Sequence, residues 1–527
     1  MAISQKSEAA RIRERLGYPI IDADGHMLEL DPIIWDYMRQ IGGSEIQQRF
    51  MKYLGGGGTT GATMPHSELG DVQDRWLDRL ASAQWAAMTW KERRDSGTMA
   101  PFWWFLPTAN TRYRATSHLP KLFHSRLDEF GLDVSVLFPT LGVAILALPG
   151  ILDDELRRVA TRAYNMYVAD MYGEYSDRLL PAAAIPMYTP QEALDELEYA
   201  VVQRGLRVTV FPSYVIRDVK REAGNERLPE GRLAPYRFDL FAIDSEHDYD
   251  PVWKRCVELG VAPCFHSTAN GIPWATRNSP SNLMFNTIGN FAESGDAIAK
   301  ALFMGGVTRR FPSIRFGLLE GGVMRGLQLY AGMVGFWHKR NPKALYKHTD
   351  PRKLDLSLMS QLLDEYGNSL VAKHKDEIMG LFGWLGQEGE PASIPLDDWA
   401  PAQIERAEDF KDLFLPHFYY GCEADDPTVA SAFDSRVIPF GGTLRPFMGS
   451  DISHADVLDP MEVVPDAYEL IEHGLLNEEQ FKDFVFGNAV RLYGGMNPDF
   501  FKGTPAEAAA TKLLTEEGRT TPDGRAR

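Results

Sequence analysis

The chain has few cysteines and no long apolar run, and several common catalytic signatures are missing. Cys256, Cys264 and Cys422 are its only three cysteines in 527 residues, with no CxxC pair. Neither a disulfide framework nor a thiolate zinc site is indicated, and a reducing compartment fits. No apolar stretch approaches the roughly 18 residues that a membrane span requires. The N-terminal MAISQKSEAARIRERLGYP is charged and lacks the apolar core of an export signal, so a cytoplasmic protein is expected. Clustered Lys and Arg are also lacking: the formal net charge is -18, which argues against a nucleic-acid surface. There is no GxSxG elbow and no HExxH helix. The GxGxxG match from Gly56 to Gly61 neither follows a strand nor opens a helix. The Gly55 to Gly58 run has no following GK[ST], so it reads as a hinge or turn rather than a phosphate loop.

What the chain does have is 44% hydrophobic residues arranged in short apolar segments, each followed by a longer stretch of helical periodicity. That alternation is the pattern of parallel strands joined by crossover helices. Eight strands are expected: Pro19 to Asp24, Leu132 to Pro139, Leu180 to Met187, Leu206 to Phe211, Val261 to His266, Ile314 to Glu320, Phe418 to Glu423, and Pro446 to Asp451. Eight such units favour a closed (β/α)8 TIM-like barrel over an open sheet. Helix starts are readable at Asp153-Asp154, Thr189-Pro190, Asp250-Pro251 and Asn477.

The length exceeds the roughly 250 residues of a single barrel. Three insertions into one domain spanning 18–496 account for the excess, at about 35–130, 215–246 and 338–412. The first carries Trp85, Trp90, Phe102, Trp103, Trp104 and Phe105, and is expected to form a lid or its own apolar core. The second reads as a polar loop, and the third as partly helical from Leu354 to Tyr366. The tail from Gly503 to Arg527 is expected to be disordered.

Chemistry concentrates at strand ends. The first strand closes on Asp22-Ala23-Asp24-Gly25-His26, and simple alternation places Asp22, Asp24 and His26 on one side, facing the barrel interior. The fifth closes on His266, the sixth on Glu320, the seventh on Glu423 and the eighth on Asp451, with His454 three residues later. Taken singly, each is equally a hydrogen-bonded strand cap. Taken together they face one cavity, because the C-terminal ends of all barrel strands do. Buried carboxylates without a counter-charge are costly, whereas a divalent cation would compensate them and use the imidazoles as ligands. Asp425 or Asp426 reads differently, as a cap for a helix near Pro427.

The segments IDADGH, PCFHSTANG, FPSIRFGLLEGG, FMGSDISHAD and FVFGNAVRLYGG occur in this order between about residues 18 and 496. In these segments the chain resembles the amidohydrolase superfamily. The likeness is to its amidohydrolase-2 branch, which contains aminocarboxymuconate semialdehyde decarboxylase and the resorcylate decarboxylases. The resemblance implies a metal-dependent hydrolase or non-oxidative decarboxylase acting on a carboxylated or acyl, hydrophobic small molecule, and commonly a homo-oligomer. It implies Asp24, His26, His266 and Asp451 as metal ligands, with zinc, manganese or iron as the ion. Asp451 is the implied catalytic group; beside it Glu320 is expected to act as a base or extra ligand, and His454 to orient substrate or bind a second cation. The sequence departs from the family pattern in two places. Asp24 stands where many members have His, and Glu320 replaces the usual strand-six His. With Glu320 and Glu423 as further ligands the site becomes carboxylate-rich. It then also resembles a divergent branch of the superfamily in which two irons hydroxylate a terpenoid acyl-CoA.

Overall fold

In the computed structural model, the residues described are 6–55, 87–96, 110–147, 153–218, 236–266, 279–387, 396–454 and 457–518. All eight expected strands form. They are β1 (Ile21–Met27), β2 (Val134–Pro139), β3 (Leu179–Ala184), β4 (Val208–Pro212), β7 (Pro263–His266), β8 (Phe316–Leu318), β9 (Phe418–Glu423) and β10 (Pro446–Gly449). They are parallel and run in that order around one sheet. Two backbone hydrogen bonds close the ring, from Asp451 N–H to the Asp24 carbonyl (3.2 Å) and from His26 N–H to the Ile452 carbonyl (3.0 Å). The protein is a (β/α)8 TIM barrel. Its strands contribute apolar residues such as Val136, Ala183, Val210, Phe265, Phe316 and Met448, all buried, and Phe265 and Phe316 pack against Trp253 of the helix Asp250–Leu259.

The helices start where the caps indicate. Asp153 accepts from Leu156 N–H at the head of the helix Asp154–Tyr172, and Thr189 accepts from Glu192 N–H before Pro190–Leu197. Gly260, left-handed at φ 66°, ends Asp250–Leu259 directly before β7. Asn477 and Gln480 form a reciprocal capping box, and the helix they open continues through two wider π-type turns to Gly494. Asp426 caps the turn Pro427–Phe433 by accepting from Thr428 N–H.

Three expectations need correction. The second insertion is not a plain loop: β5 (Val215–Asp218) and β6 (Tyr236–Asp239) pair as an antiparallel ribbon, and Arg217 meets the buried Asp239 at 3.0 Å. The tail is ordered at first, with a helix at Glu507–Glu516 that buries Ala510 and Leu514 and is tied down by Arg491 to Glu517 at 2.6 Å. Small apolar residues at helical spacing gave it a docking face that composition alone conceals. The third correction concerns β1 and is described with the site. Of the first insertion's aromatics, Trp90 is half-exposed, whereas Trp85 and Phe102 to Phe105 lie outside the described residues, as does the glycine run from Gly56. The three cysteines are free and buried, and burial pushes the Cys264 thiol up to about 12. Among the described residues no helix is long and apolar enough to cross a membrane.

Candidate metal centre

The first strand carries a one-residue bulge between Asp22 and Gly25 relative to β2, so the alternation read from the sequence does not run through it. Asp22 is therefore not a companion of Asp24 and His26. Its carboxylate accepts from Ser135 Oγ–H (2.5 Å), Ser450 Oγ–H (2.8 Å), Ser450 N–H (3.0 Å) and Asp24 N–H (3.3 Å). It clasps β1 to its neighbours on both sides. Gly25 fits only because it lacks a Cβ, which would stand 2.3 Å from Asp22 Oδ2. The one sequence signal for this clasp is a pair of hydroxyls, Ser135 within an otherwise apolar strand and Ser450 directly after one.

Beyond the bulge, Asp24 and His26 join His266, Glu320, Asp451 and His454. His26 Nε2 lies 2.6 Å from Glu320 Oε1, 3.2 Å from Asp451 Oδ1 and 3.7 Å from Asp24 Oδ1. His266 Nε2 is 3.0 Å from the same Glu320 oxygen, and His454 Nδ1 is 2.5 Å from Asp451 Oδ1. The rings of His26 and His454 stack at 3.7 Å between centroids, while His266 meets His26 edge-on at 5.3 Å. Phe291 packs edge-on against His266 at 5.4 Å and, with Phe138 beside both His26 and His266, gives the rings an apolar wall.

Two groups of four have ligand atoms within 4.8 Å of one another: Asp24, His26, His266 and Glu320, and His26, Glu320, Asp451 and His454. Six of the seven residues expected at the site or in its chemistry thus converge. Glu423 is the exception: its side chain is exposed at the rim and enters neither group, though its charge still presses on Asp24. With Asp425, Asp459, Glu462 and Asp466 it lines a cavity of about 540 Å³ beside the ends of β9 and β10.

The backbone is strained at this cluster. Glu320 (φ 53°), Asp451 (φ 49°) and Ser453 (φ 90°) all occupy the left-handed region, although none is glycine. Hydrogen bonds hold these turns in place: Glu320 N–H donates to Asp24 Oδ2 (3.1 Å), His454 N–H to the Asp451 carbonyl (3.0 Å) and Ser453 N–H to Tyr113 Oη (2.8 Å).

Burial, and then the charges of Glu320, Asp451 and Glu423, raise the Asp24 carboxyl well above the carboxylate range. Burial pushes His26 down to about 3, leaving a neutral imidazole. Burial works against Glu320 too, but His266 and His26 beside it outweigh that and hold it well below its ordinary value. Asp24 Oδ1 and both ring nitrogens of His26 are buried without a hydrogen-bond partner among the described residues; the 2.6 Å approach of Glu320 lacks hydrogen-bond geometry. Donor atoms left this way among several carboxylates fit a divalent cation that takes mixed imidazole and oxygen ligands.

Residues 126–369 match the family model described as Amidohydrolase, a span that runs from before β2 to beyond β8 and contains His266 and Glu320. The likeness read from the strand-end motifs is borne out over that span, where the chain matches the amidohydrolase family model. Similar solved structures include an amidohydrolase from Mycobacterium avium subsp. paratuberculosis K-10, 15% identical, covering 91% of this chain and 98% of that one at TM-score 0.48. A dihydroxybenzoic acid decarboxylase from Polaromonas sp. JS666 with bound manganese is 14% identical, covering 90% and 97% at TM-score 0.43. A 4-oxalomesaconate hydratase from Rhodopseudomonas palustris is 14% identical, covering 95% and 99% at TM-score 0.41. No curated protein matches the chain.

Proposed function

We propose that the chain is a divalent-metal-dependent enzyme that hydrolyses, or decarboxylates without oxidation, a small carboxylated or acyl substrate of apolar character. The observation that carries this reading is the set of buried, unpartnered donor atoms of Asp24 and His26 at the centre of the cluster. Asp24, His26, His266, Glu320 and Asp451 would hold the ion, which is zinc, manganese or iron. Bound there, it supplies Lewis-acid polarisation of a substrate oxygen or of water.

The remaining chemistry belongs to side chains. His26, kept neutral by burial, is ready to ligate without first losing a proton. Glu320 stays ionised between two imidazoles and fixes the His266 ring through a hydrogen bond. Asp451 and His454, 2.5 Å apart at the more open side of the cluster, are the pair placed to pass a proton to or from a substrate. Phe138 and Phe291 keep one side of the rings dry.

A second reading is favoured by one feature: the two four-residue groups share His26 and Glu320, an arrangement able to accommodate two cations. Three carboxylates around one divalent ion leave a net negative charge, which a second ion would offset. Two irons in this place would suit oxygen-dependent hydroxylation of an acyl-CoA or terpenoid-type substrate. Elemental analysis of protein purified without chelators, with carboxylated and acyl substrates assayed anaerobically, separates the two readings. One zinc or manganese per chain with anaerobic turnover supports the first. Two irons per chain and turnover only in oxygen overturn it.

A further inference from the structure

Towards its end the first insertion forms a helix, Thr111–His118, that grips the barrel where the ring of strands closes. Eight residues are too few for a helix to persist on propensity alone, so its contacts decide its place. Asn110 Oδ1 caps it by accepting from Tyr113 N–H (3.0 Å), and Thr116 Oγ1 accepts from Arg126 Nη1–H of the following helix Pro120–Phe130 (2.8 Å). The Ser117 carbonyl accepts from Leu28 N–H (2.9 Å), and His118 Nδ1 donates to the Leu28 carbonyl (3.1 Å), two residues beyond His26. On the other side of the seam, Tyr113 Oη accepts from Ser453 N–H at 2.8 Å. The helix therefore bridges the chain leaving β1 and the turn leaving β10, the two strands that deliver Asp24, His26 and Asp451 to the metal centre.

That turn needs a partner. Asp451 and Ser453 are both left-handed without being glycine, at φ 49° and 90°, and such conformers persist only where the surroundings over-determine them. The Asp24 carbonyl accepts from Asp451 N–H and fixes the first; the Tyr113 hydroxyl fixes the second. Ser453 is fully buried, so its N–H cannot turn to water instead. The next residue is His454, whose ring takes its direction from the Ser453 backbone. That ring stacks on His26 at 3.7 Å and meets Asp451 Oδ1 at 2.5 Å. We propose that Tyr113 is a positioning residue of the centre: its hydroxyl holds the Ser453 backbone and thereby lays the His454 ring on that of His26. Its bearing on catalysis rests on the function proposed above, in which Asp451 and His454 are the proton-transferring pair.

Tyr113→Phe keeps the aromatic ring and removes only the hydroxyl. Its matched control is Tyr167→Phe, because the Tyr167 hydroxyl also accepts a backbone N–H, but from Leu30 (3.0 Å) rather than from the turn. Each variant loses a buried bond of the same kind, so a merely structural effect appears in both. The measurement that separates them is NMR of the metal-free full chain labelled at the histidine ring carbons, with the His454 signals assigned by their absence from His454→Gln. Stacking on His26 shields the His454 ring protons, so they should stand upfield in the wild type and in Tyr167→Phe. In Tyr113→Phe they should shift downfield, towards the position of an unstacked histidine. His454 signals that stay at the wild-type position in Tyr113→Phe overturn the proposal. So does an equal shift in Tyr167→Phe, which would mark a general loosening of the barrel mouth. The measurement is made without metal, so its failure is distinguishable from a failure of the metal-centre reading, which elemental analysis tests.

Discussion

Adding one methyl group at Gly421 tests the geometry of the centre more sharply than removing a ligand does. A Cβ there would stand 2.7 Å from Asp24 Oδ2, 3.0 Å from Glu320 N and 3.1 Å from Leu319 Cα. Two of these neighbours are backbone atoms and do not yield, so the Asp24 carboxylate must move. It would then lose the 3.1 Å hydrogen bond from Glu320 N–H that aligns the two ligands. A buried hydrogen bond is worth about 0.5–1.5 kcal/mol and overpacking costs about 1–3 kcal/mol. Both arise from one clash, so the expected loss for Gly421→Ala is about 2–4 kcal/mol. Metal affinity should fall ~10–100-fold, as when a ligand's supporting hydrogen bond is removed. The matched control is Gly332→Ala in the helix Val323–Arg340, where an added Cβ meets nothing within 4 Å. That variant should instead gain up to ~1 kcal/mol from helix propensity. Guanidinium unfolding of metal-free and metal-loaded protein, with a chromophoric chelator competing for the ion, measures both quantities. Wild-type unfolding and wild-type metal affinity for Gly421→Ala would refute the placement of Asp24 against Glu320.

The other expectations follow from the same contacts. Asp22→Ala leaves the Ser450 N–H and two hydroxyls without their buried acceptor and should cost about 3–5 kcal/mol in guanidinium unfolding; a cost below about 1 kcal/mol would remove the clasp from the account. Metal uptake should weaken as pH falls, because the Asp24 carboxyl is raised and its proton competes with the ion, whereas His26, pushed down to about 3, does not compete near neutrality. Calorimetry in two buffers of different ionisation enthalpy would detect the released proton, and identical heats would argue against it. His454→Gln should leave the ion bound but lower turnover on any substrate found by ~100-fold or more; an unchanged rate would exclude its proton-transfer role. Burial holds His417 at about 4 while its Nδ1 donates to the Ile314 carbonyl at 2.7 Å. A histidine lowered on folding stabilises fully above its unfolded value of about 6.5 and loses that contribution as pH falls towards 4. The wild type should therefore lose about 2 kcal/mol more than His417→Gln between pH 7.5 and 5; parallel unfolding curves would contradict this.

The barrel was legible because its strands are continuous apolar runs, a consequence of being covered on both faces. The convergence of six candidate residues was legible for a related reason: an ionisable residue at the end of such a run has nowhere to go but the common mouth. Glu423 satisfied the same rule and failed it. Being the last residue of β9, it reaches the rim, where solvation costs less than joining three other carboxylates. Asp22 failed for a different reason. Period-two reasoning assumes an unbroken register, and the bulge at Asp22 to Gly25 inserts one residue that the sequence does not announce. The first insertion gave little, since composition distinguishes neither a lid from a satellite core nor an apolar pocket from a subunit contact.

The backbone at Glu320 and Asp451 was the least legible feature, and it bears most directly on the site. A left-handed residue is ordinarily announced by glycine or asparagine; glutamate and aspartate there pay about 1 kcal/mol or more each in strain. Such conformers persist only where the surroundings over-determine them. Here Asp24 does so at both points, with its side chain accepting from Glu320 N–H and its carbonyl accepting from Asp451 N–H. One residue therefore sets the angles from which two strands deliver their carboxylates. Asp451→Asn isolates the consequence, because asparagine tolerates the same left-handed conformation while giving up the charge. Its unfolding midpoint in the metal-free state should not fall, whereas its metal affinity should. An Asp451→Asn protein that lost stability without losing the ion would mean that the carboxylate serves the fold rather than the cation.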